Sequence, residues 1–458
     1  LVVAIIGAVG AVPLAVLWYA GHSLATRTDG REAKPVSYIV TPVMSVRRAA
    51  DTLAADIATR NLRNELSPIL GKLPASACIR VDAGGRIVVT KSSDKDLVPA
   101  SNQKIATAAV ALEVLPSETR FTTRVVGQVE NGSVAGDMFL VGGGDPLLVS
   151  REYLATERYP TTSPTLLDDL ADKVKAAGVT SVTGSVVGDE SYLDDDRYLD
   201  DWSSGIRGTE AGPLGGLMVN DGVVVGNPLK PDNPAVAAAE EFTRLLRARG
   251  ITVAGEAREA RTAPPEAMIA EISSAPVASV VGEMLTNSDN NTAEILVRHI
   301  GLSRSLQPTT GAGLAVIRDV LKAWGIEGVT VKDGSGLSRG NRMTCATLVE
   351  LLERSPIGGS LKKGLAVAGR TGTLKDVLTD SPVAGKLLGK TGTLLNVKTL
   401  GGVLPVGTTD EVLFALFLNG AGWADQGNYR PLWEALARAV ATYPTGPSAG
   451  QVRVLGAG

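Results

Sequence analysis

Histidine and cysteine are scarce in this chain, with two of each in 458 residues. His22 lies just past an apolar N-terminal run, which leaves only His299, in a stretch over 295–300 that reads as a helix, for the folded part. That excludes a multi-histidine zinc site and argues against a Ser-His-Asp triad. Any serine nucleophile here needs a different base. Cys78 and Cys345 cannot build a disulfide framework, and the sequence is compatible either with one bridge or with two buried thiols. An excess of one charge is lacking too: 45 Lys plus Arg face 48 Asp plus Glu, so no basic patch is expected to track phosphates and nucleic acid is not an expected partner. No internal repeat and no cofactor motif stands out. What remains is an ordinary globular composition, long enough for two or three domains.

Residues 1–20 carry no charged side chain and are long enough to cross a bilayer as a helix, despite Pro13. Two readings compete for residues 1–25: an uncleaved membrane anchor, or a signal peptide cut after Ser23-Leu24-Ala25. The length of the run favours the anchor. Either way the remainder, after a polar linker over 26–44, is expected outside the cytoplasm.

The most informative stretch is Ser101-Asn102-Gln103-Lys104. Residues 105–112 are almost all small or apolar, which predicts a helix buried on every side, with Ser101 and Lys104 at its polar start. A spacing of three places both side chains on one face, one turn apart. Pro99 suits a first helical turn, and the helix N-terminus favours negative charge developing on the serine oxygen.

Around it, 43–66 has a helical period, and 78–90 reads as a β-hairpin about Asp82-Ala83-Gly84-Gly85. Between 121 and 275 the character changes to short strands, Gly- and Asp-rich turns and two helices (165–177 and 235–249), which suggests inserted domains. Within it, Gly142-Gly143-Gly144-Asp145-Pro146 reads as a tight structural turn, since no Gly-Lys-Ser/Thr follows. Asp194-Asp195-Asp196 reads as a solvated acidic loop, because no ligand spacing supports a cation. Helices are then expected over 277–285 and 292–300, the second capped by Asn291-Thr292-Ala293-Glu294 as a capping box, leaving Ser288 and Asn290 free in the loop between. The plainer alternative makes Ser288 or Asp289 a helix cap. Asp333-Gly334-Ser335-Gly336-Leu337-Ser338-Arg339 forms a polar turn before a helix over 344–352. Lys390-Thr391-Gly392-Thr393 opens a strand run through 397–406 and 411–419, closed by an amphipathic helix over 429–441. Arg370-Thr371-Gly372-Thr373 is a near copy, set in a Gly-rich loop and therefore not preferred.

Taken in order, Ser101-x-x-Lys104, Ser288-Asp289-Asn290 and Lys390-Thr391-Gly392 resemble the motif set of penicillin-binding proteins and serine β-lactamases. The long insert after Lys104 makes the chain similar to the class C low-molecular-mass, type 4 penicillin-binding proteins, the D-alanyl-D-alanine carboxypeptidase/endopeptidases. Gly188-Asp189-Glu190-Ser191, Val219-Asn220-Asp221, the 333–339 turn and Ala384-Gly385 fit the same family, and Arg370-Thr371-Gly372 departs from it. The resemblance implies an α/β (α+β) fold in which an antiparallel sheet flanked by helices forms a split catalytic domain, 45–120 with 276–445. Inserted domain II would comprise 121–150 and 212–275, inserted domain III 151–211, and a tail 446–458.

It implies Ser101 as nucleophile, Lys104 as base, Ser288 as proton relay, Asn290 as holder of Lys104 and the substrate amide, and burial with Lys390 as second cation lowering the pKa of Lys104. Thr391, Gly392 and Thr393 would line the substrate carboxylate site, with backbone N–H groups of Ser101 and Thr393 around the oxyanion. No metal and no cofactor is implied. The expected partners are the D-Ala-D-Ala stem peptide of peptidoglycan, β-lactams as covalent inhibitors, and the bacterial membrane through the N-terminal segment. A serine β-lactamase and a non-enzymatic β-lactam or cell-wall sensor are the rival readings; the size of the insert favours the peptidase.

Overall fold

The structure, a computed structural model, describes residues 46–227, 229–261 and 267–446. The proposed anchor or signal peptide over 1–25, the 26–44 linker and all but the first residue of the 446–458 tail lie outside the described residues. Two compact units are distinguished, Leu1–Leu53 and Ala54–Gly458. Of the first only the start of a helix is described; the second carries all that follows. Among the described residues no helix is long and apolar enough to cross a membrane.

The elements that frame the SxxK stretch are α1 (Val46–Lys72), β1 (Ala77–Ala83), β2 (Arg86–Lys91) and α2 (Gln103–Val114). After the intervening segment come α3 (Val277–Asn287), α4 (Asn290–Ser305), α5 (Thr310–Ala323) and α6 (Cys345–Arg354). The chain ends in β3 (Ala366–Val367), β4 (Leu388–Leu394), β5 (Val397–Val406), β6 (Asp410–Asn419) and α7 (Gln426–Val440). The six strands form one antiparallel sheet in the order β3-β4-β5-β6-β1-β2. Both of its faces are covered, and the strand sequences say why. In β6, Leu413, Ala415 and Phe417 pack with α2 to α6, while Val412, Phe414, Leu416 and Leu418 pack with α1 and α7. A strand buried on both faces reads as a continuous apolar run, because alternate side chains enter opposite cores.

Local chemistry sets the helix ends. α2 stops where Leu115 turns extended ahead of Pro116, a residue that disfavours helical conformation before it. Asp289, Thr309 and Thr344 cap α4, α5 and α6 by accepting the backbone N–H three residues on. The α4 cap corrects the expected capping box: Asp289 takes the cap position, and Asn291 and Glu294 are left inside the helix for other work. The start of the SxxK helix differs as well, since Ser101 sits in a short 3-10 turn, Ala100–Asn102, and the α-helix begins at Gln103.

Among the described residues, the segment between α2 and α3 builds its own sheet from Arg258–Ala260, Val186–Asp189, Met138–Val141, Thr122–Val126 and Met268–Ser273, in that order. Helices Leu167–Ala176 and Pro234–Ala248 share a core with it. The glycine-rich turn is structural, as expected: a Cβ on Gly142 would lie 2.3 Å from the Gly216 carbonyl oxygen, and one on Gly143 2.2 Å from that of Thr122. Asp194 is not the solvated acid that the sequence suggested. It forms an ion pair at 2.9 Å with Arg298, which is fully buried on α4. An uncompensated guanidinium in that position would be costly, so the acid is recruited to it.

Cys78 of β1 and Cys345 at the start of α6 form a disulfide, which decides between the two readings of the cysteines. It ties the sheet to the helical layer across a sequence separation of 267 residues. Closing so long a loop restricts the unfolded chain strongly, and replacing both cysteines by alanine is expected to lower stability by about 2–5 kcal/mol. Guanidinium unfolding of the oxidised protein and of the double variant measures this; coincident midpoints would show that the bridge contributes nothing.

Candidate active site

Lys104 lies one turn into the SxxK segment with no exposed surface. Its ammonium donates to Asn290 Oδ1 at 2.6 Å, to the Ser335 carbonyl at 2.6 Å and to Ser101 Oγ at 3.3 Å. Three donors meet three acceptors, so no N–H is stranded. The longest contact is the one to Ser101, and it is the one whose direction reverses when the lysine is neutral. Burial pushes the Lys104 pKa down to about 8, against the pull of Asp333, Glu294, Asp289 and Glu210. A base poised there is neutral for a usable fraction of the time near neutral pH.

Lys390, on β4, is also fully buried and donates to the Thr391 carbonyl at 2.9 Å. Burial holds its pKa well below the ordinary lysine value, with repulsion from Lys104 and Lys398 added. Burial acts on Lys104 as expected, and the effect between the two cations is seen on Lys390. Desolvation lowers Lys104, and the charge of Lys104 weighs on Lys390.

The strand approaches the 3-10 turn because Gly392 has no side chain: a Cβ there would lie 2.2 Å from Thr399 Oγ1 and 2.8 Å from the Pro99 carbonyl. Asn102 donates to Thr399 Oγ1 at 2.7 Å, and Thr399 Oγ1 donates to Pro99 O at 2.8 Å, which pins the turn to β5. β3 pairs with β4 only as far as Gly389, so from Lys390 onward the outer side of β4 has no strand partner among the described residues. Thr391 Oγ1 donates to Thr373 Oγ1 at 2.9 Å, and Thr393 Oγ1 accepts from Lys398 at 2.7 Å. The near-copy motif thus supports the site through Thr373 without supplying a second lysine.

Ser288 occupies the left-handed region (φ 65°) where α3 ends, and Asp289 starts α4 immediately after it. A non-glycine residue held there costs about 1–3 kcal/mol, and the turn it makes puts Ser288 and Asn290 on one cleft of about 390 Å³, whose lining includes Glu210 and Asp289 but not Ser101, Lys104 or Lys390. Asn290 is joined to Lys104; the Ser288 hydroxyl is not among the groups bonded to it. Asn290 Nδ2 also donates to the Glu210 carbonyl at 2.7 Å, which brings the intervening segment to the site.

Three residues of this arrangement were not singled out as functional by sequence reasoning: Ser335, Glu294 and Asp333. The Ser335 carbonyl is held on Lys104 by Glu294, whose carboxylate accepts the N–H of Ser335 at 2.8 Å and that of Gly334 at 3.1 Å. Asp333 accepts from Asn341 and the N–H groups of Gly336 and Ser338, and from the Trp202 indole at 3.0 Å. Gly336 (φ +87°) lets the turn press on the SxxK segment, since a Cβ there would lie 2.0 Å from the Ala100 carbonyl. The signal was the Asp-Gly-Ser-Gly turn, but a backbone acceptor carries no residue-type signature. Burial, and then Asp333, raise Glu294 to about 7; burial, and then Asp221, raise Asp289 to about 7.

His299 is elsewhere. It is buried against Phe121 with ring centroids 4.0 Å apart, its Nε2 is 2.8 Å from the Gly144 carbonyl oxygen, and burial pushes its pKa down to about 4. It stays neutral at physiological pH and belongs to the core.

The fold is similar to that of penicillin binding protein 4 (dacB) from Haemophilus influenzae, with a TM-score of 0.65, 21% identity, and 81% of this chain and 97% of that chain covered. In sequence the chain is 28% identical to the D-alanyl-D-alanine carboxypeptidase of Actinomadura sp. (strain R39), covering 86% of this chain and 88% of that protein. It is 30% identical to the carboxypeptidase DacB of Mycolicibacterium smegmatis, over 71% of this chain and 72% of that protein. Residues 62–228 and 228–440 match the D-Ala-D-Ala carboxypeptidase 3 (S13) family, to which this chain belongs.

Proposed function

We propose that the protein is a serine D-alanyl-D-alanine carboxypeptidase acting on peptidoglycan stem peptides, and that Ser101, Lys104, Ser288, Asn290 and Lys390 carry the reaction. The observation that carries this reading is the buried Lys104 bonded at once to Ser101, Asn290 and the Ser335 carbonyl. A serine hydroxyl is a poor nucleophile at neutral pH and an amide a poor electrophile, so a base must take the proton as the bond forms. Neutral Lys104 accepts the Ser101 proton while Ser101 Oγ bonds to the carbonyl carbon of the penultimate D-alanine. The developing oxyanion is held by the backbone N–H groups of Ser101 and Thr393. The proton passes by way of Ser288 to the nitrogen of the terminal D-alanine, the C–N bond breaks and D-alanine leaves. Water then attacks the ester, with Lys104 again taking a proton, and Ser101 is restored. When the leaving amine belongs to a neighbouring stem, the same steps open a cross-link. The unpaired side of β4 receives the substrate as an added strand, with Lys390 and the hydroxyls of Thr391 and Thr393 facing its carboxylate. A β-lactam enters by the same route and stays as an ester on Ser101.

In the same reading, 45–120 and 276–445 form the catalytic domain, interrupted by an inserted segment over 121–275 in which Leu167–Ala176 and Val186–Asp189, of the expected domain III (151–211), share the core and sheet of the expected domain II (121–150 and 212–275). The enzyme acts outside the cytoplasm, reached through the apolar segment over 1–20 as an anchor or signal peptide.

Ser101→Ala is expected to abolish labelling by a fluorescent penicillin while circular dichroism stays unchanged; label persisting on another residue would refute the assignment. Lys104→Met is expected to slow acylation by about 10²–10⁴-fold, the usual contribution of a general base. Because the base must be neutral, the second-order acylation constant of the unsubstituted protein should rise with pH through about 8, as Lys104 loses its proton. A profile flat across that range, or one unchanged in Lys104→Met, would count against Lys104 as the base.

A further inference from the structure

Lys398 is a second cation at the carboxylate end of the site, and neither the SxxK, SDN nor KTG motif includes it. It sits on β5 directly opposite Thr393 of β4, and its ammonium donates to Thr393 Oγ1 at 2.7 Å. Two aromatic rings of α7 hold it in place: Nζ lies 4.3 Å from the ring centroid of Tyr429 and 5.2 Å from that of Trp433. A cation over ring faces is attracted by their quadrupoles, and the apolar stem packs on the same surface. Among the described ion pairs, none joins Lys398 to a carboxylate. The charges that act on it or that it acts on are those of Arg430 and Lys390, both cations.

We propose that Lys398 is a positioning residue for carboxylate recognition, acting through Thr393. This rests on the reading of Ser101 as nucleophile and of Thr393 as part of the carboxylate subsite. A hydroxyl has one proton to give. With Lys398 donating into Thr393 Oγ1, that proton is directed away from Lys398 and toward the unpaired side of β4, where a substrate carboxylate accepts it. A hydroxyl polarised by an ammonium is also the stronger donor.

The test measures benzylpenicillin acylation, together with kcat and KM for an N-acyl-D-Ala-D-Ala peptide, in the full chain. The variants are Lys398→Met, Lys398→Arg, Thr393→Val and the Met/Val double variant. Lys398→Met keeps the stem over the two rings and is expected to lower the acylation constant and kcat/KM about tenfold, mostly through KM, the size of one hydrogen bond to a charged group. Lys398→Arg should stay within about threefold of the unsubstituted protein, since it keeps a cation with donors at that place. In the Thr393→Val background, Lys398→Met should cost less than about twofold more, because residues acting as a unit are not additive. Full additivity, or a Lys398→Met enzyme within about twofold of the original, would overturn the proposal. Thermal melting identifies a folding failure, in which case Lys398→Gln replaces the methionine variant. An unsubstituted protein that is not acylated at Ser101 would instead remove the reading of the site itself.

Discussion

The site depends on burying one ammonium group. Taking the Lys104 charge out of water costs several kcal/mol unless every N–H finds an acceptor, and the acceptors come from three places in the chain. Ser101 lies three residues away, Asn290 186 residues away and Ser335 231 residues away. The rest of the arrangement serves to deliver the two distant groups. Asp289 and the left-handed Ser288 start α4 at the place that puts Asn290 over Lys104. Glu294, one turn further along α4, fixes the turn that presents the Ser335 carbonyl. One helix thus carries a direct ligand of the lysine and the support for another.

The segment between α2 and α3 is tied to the same centre. Trp202 bonds to Asp333, the Glu210 carbonyl receives Asn290, and the Gly212 N–H donates to Asn291 at 2.6 Å. Trp202, Ala211 and Leu214 also pack with Leu337, beside Leu394 of β4. A segment with its own sheets therefore closes one side of the site with a loop, which is consistent with binding groups being placed on loops that a rigid scaffold positions.

Much of this was legible in the sequence, for reasons that differ by residue. The Ser101 and Lys104 pairing follows from helical spacing, and the preference for Lys390 over Arg370 followed from the strand run that Lys390 opens. Asn291 and Glu294 were misread as a capping box because the pattern fits one. The cap is instead Asp289, and Glu294 is freed to bind two backbone N–H groups. Asp194 read as solvated because nothing in its neighbourhood announces Arg298, a hundred residues later. Lys398 could not be picked out at all, since an alternating strand places a lysine on a face without saying what covers that face.

Local features are what the sequence by itself determined: the buried helix after Ser101, the strand run near the end and the tight glycine-rich turn over 142–146. Each depends on residues within a turn or two of one another. The tertiary structure alone decided how burial lowers the pKa of Lys104 and Lys390 and raises that of Glu294, the pairing of Cys78 with Cys345, and the recruitment of the Ser335 carbonyl. The physical reason is common to these. Desolvation is a property of everything packed around a group, and a backbone carbonyl is the same in every residue, so neither is written at the position where it acts.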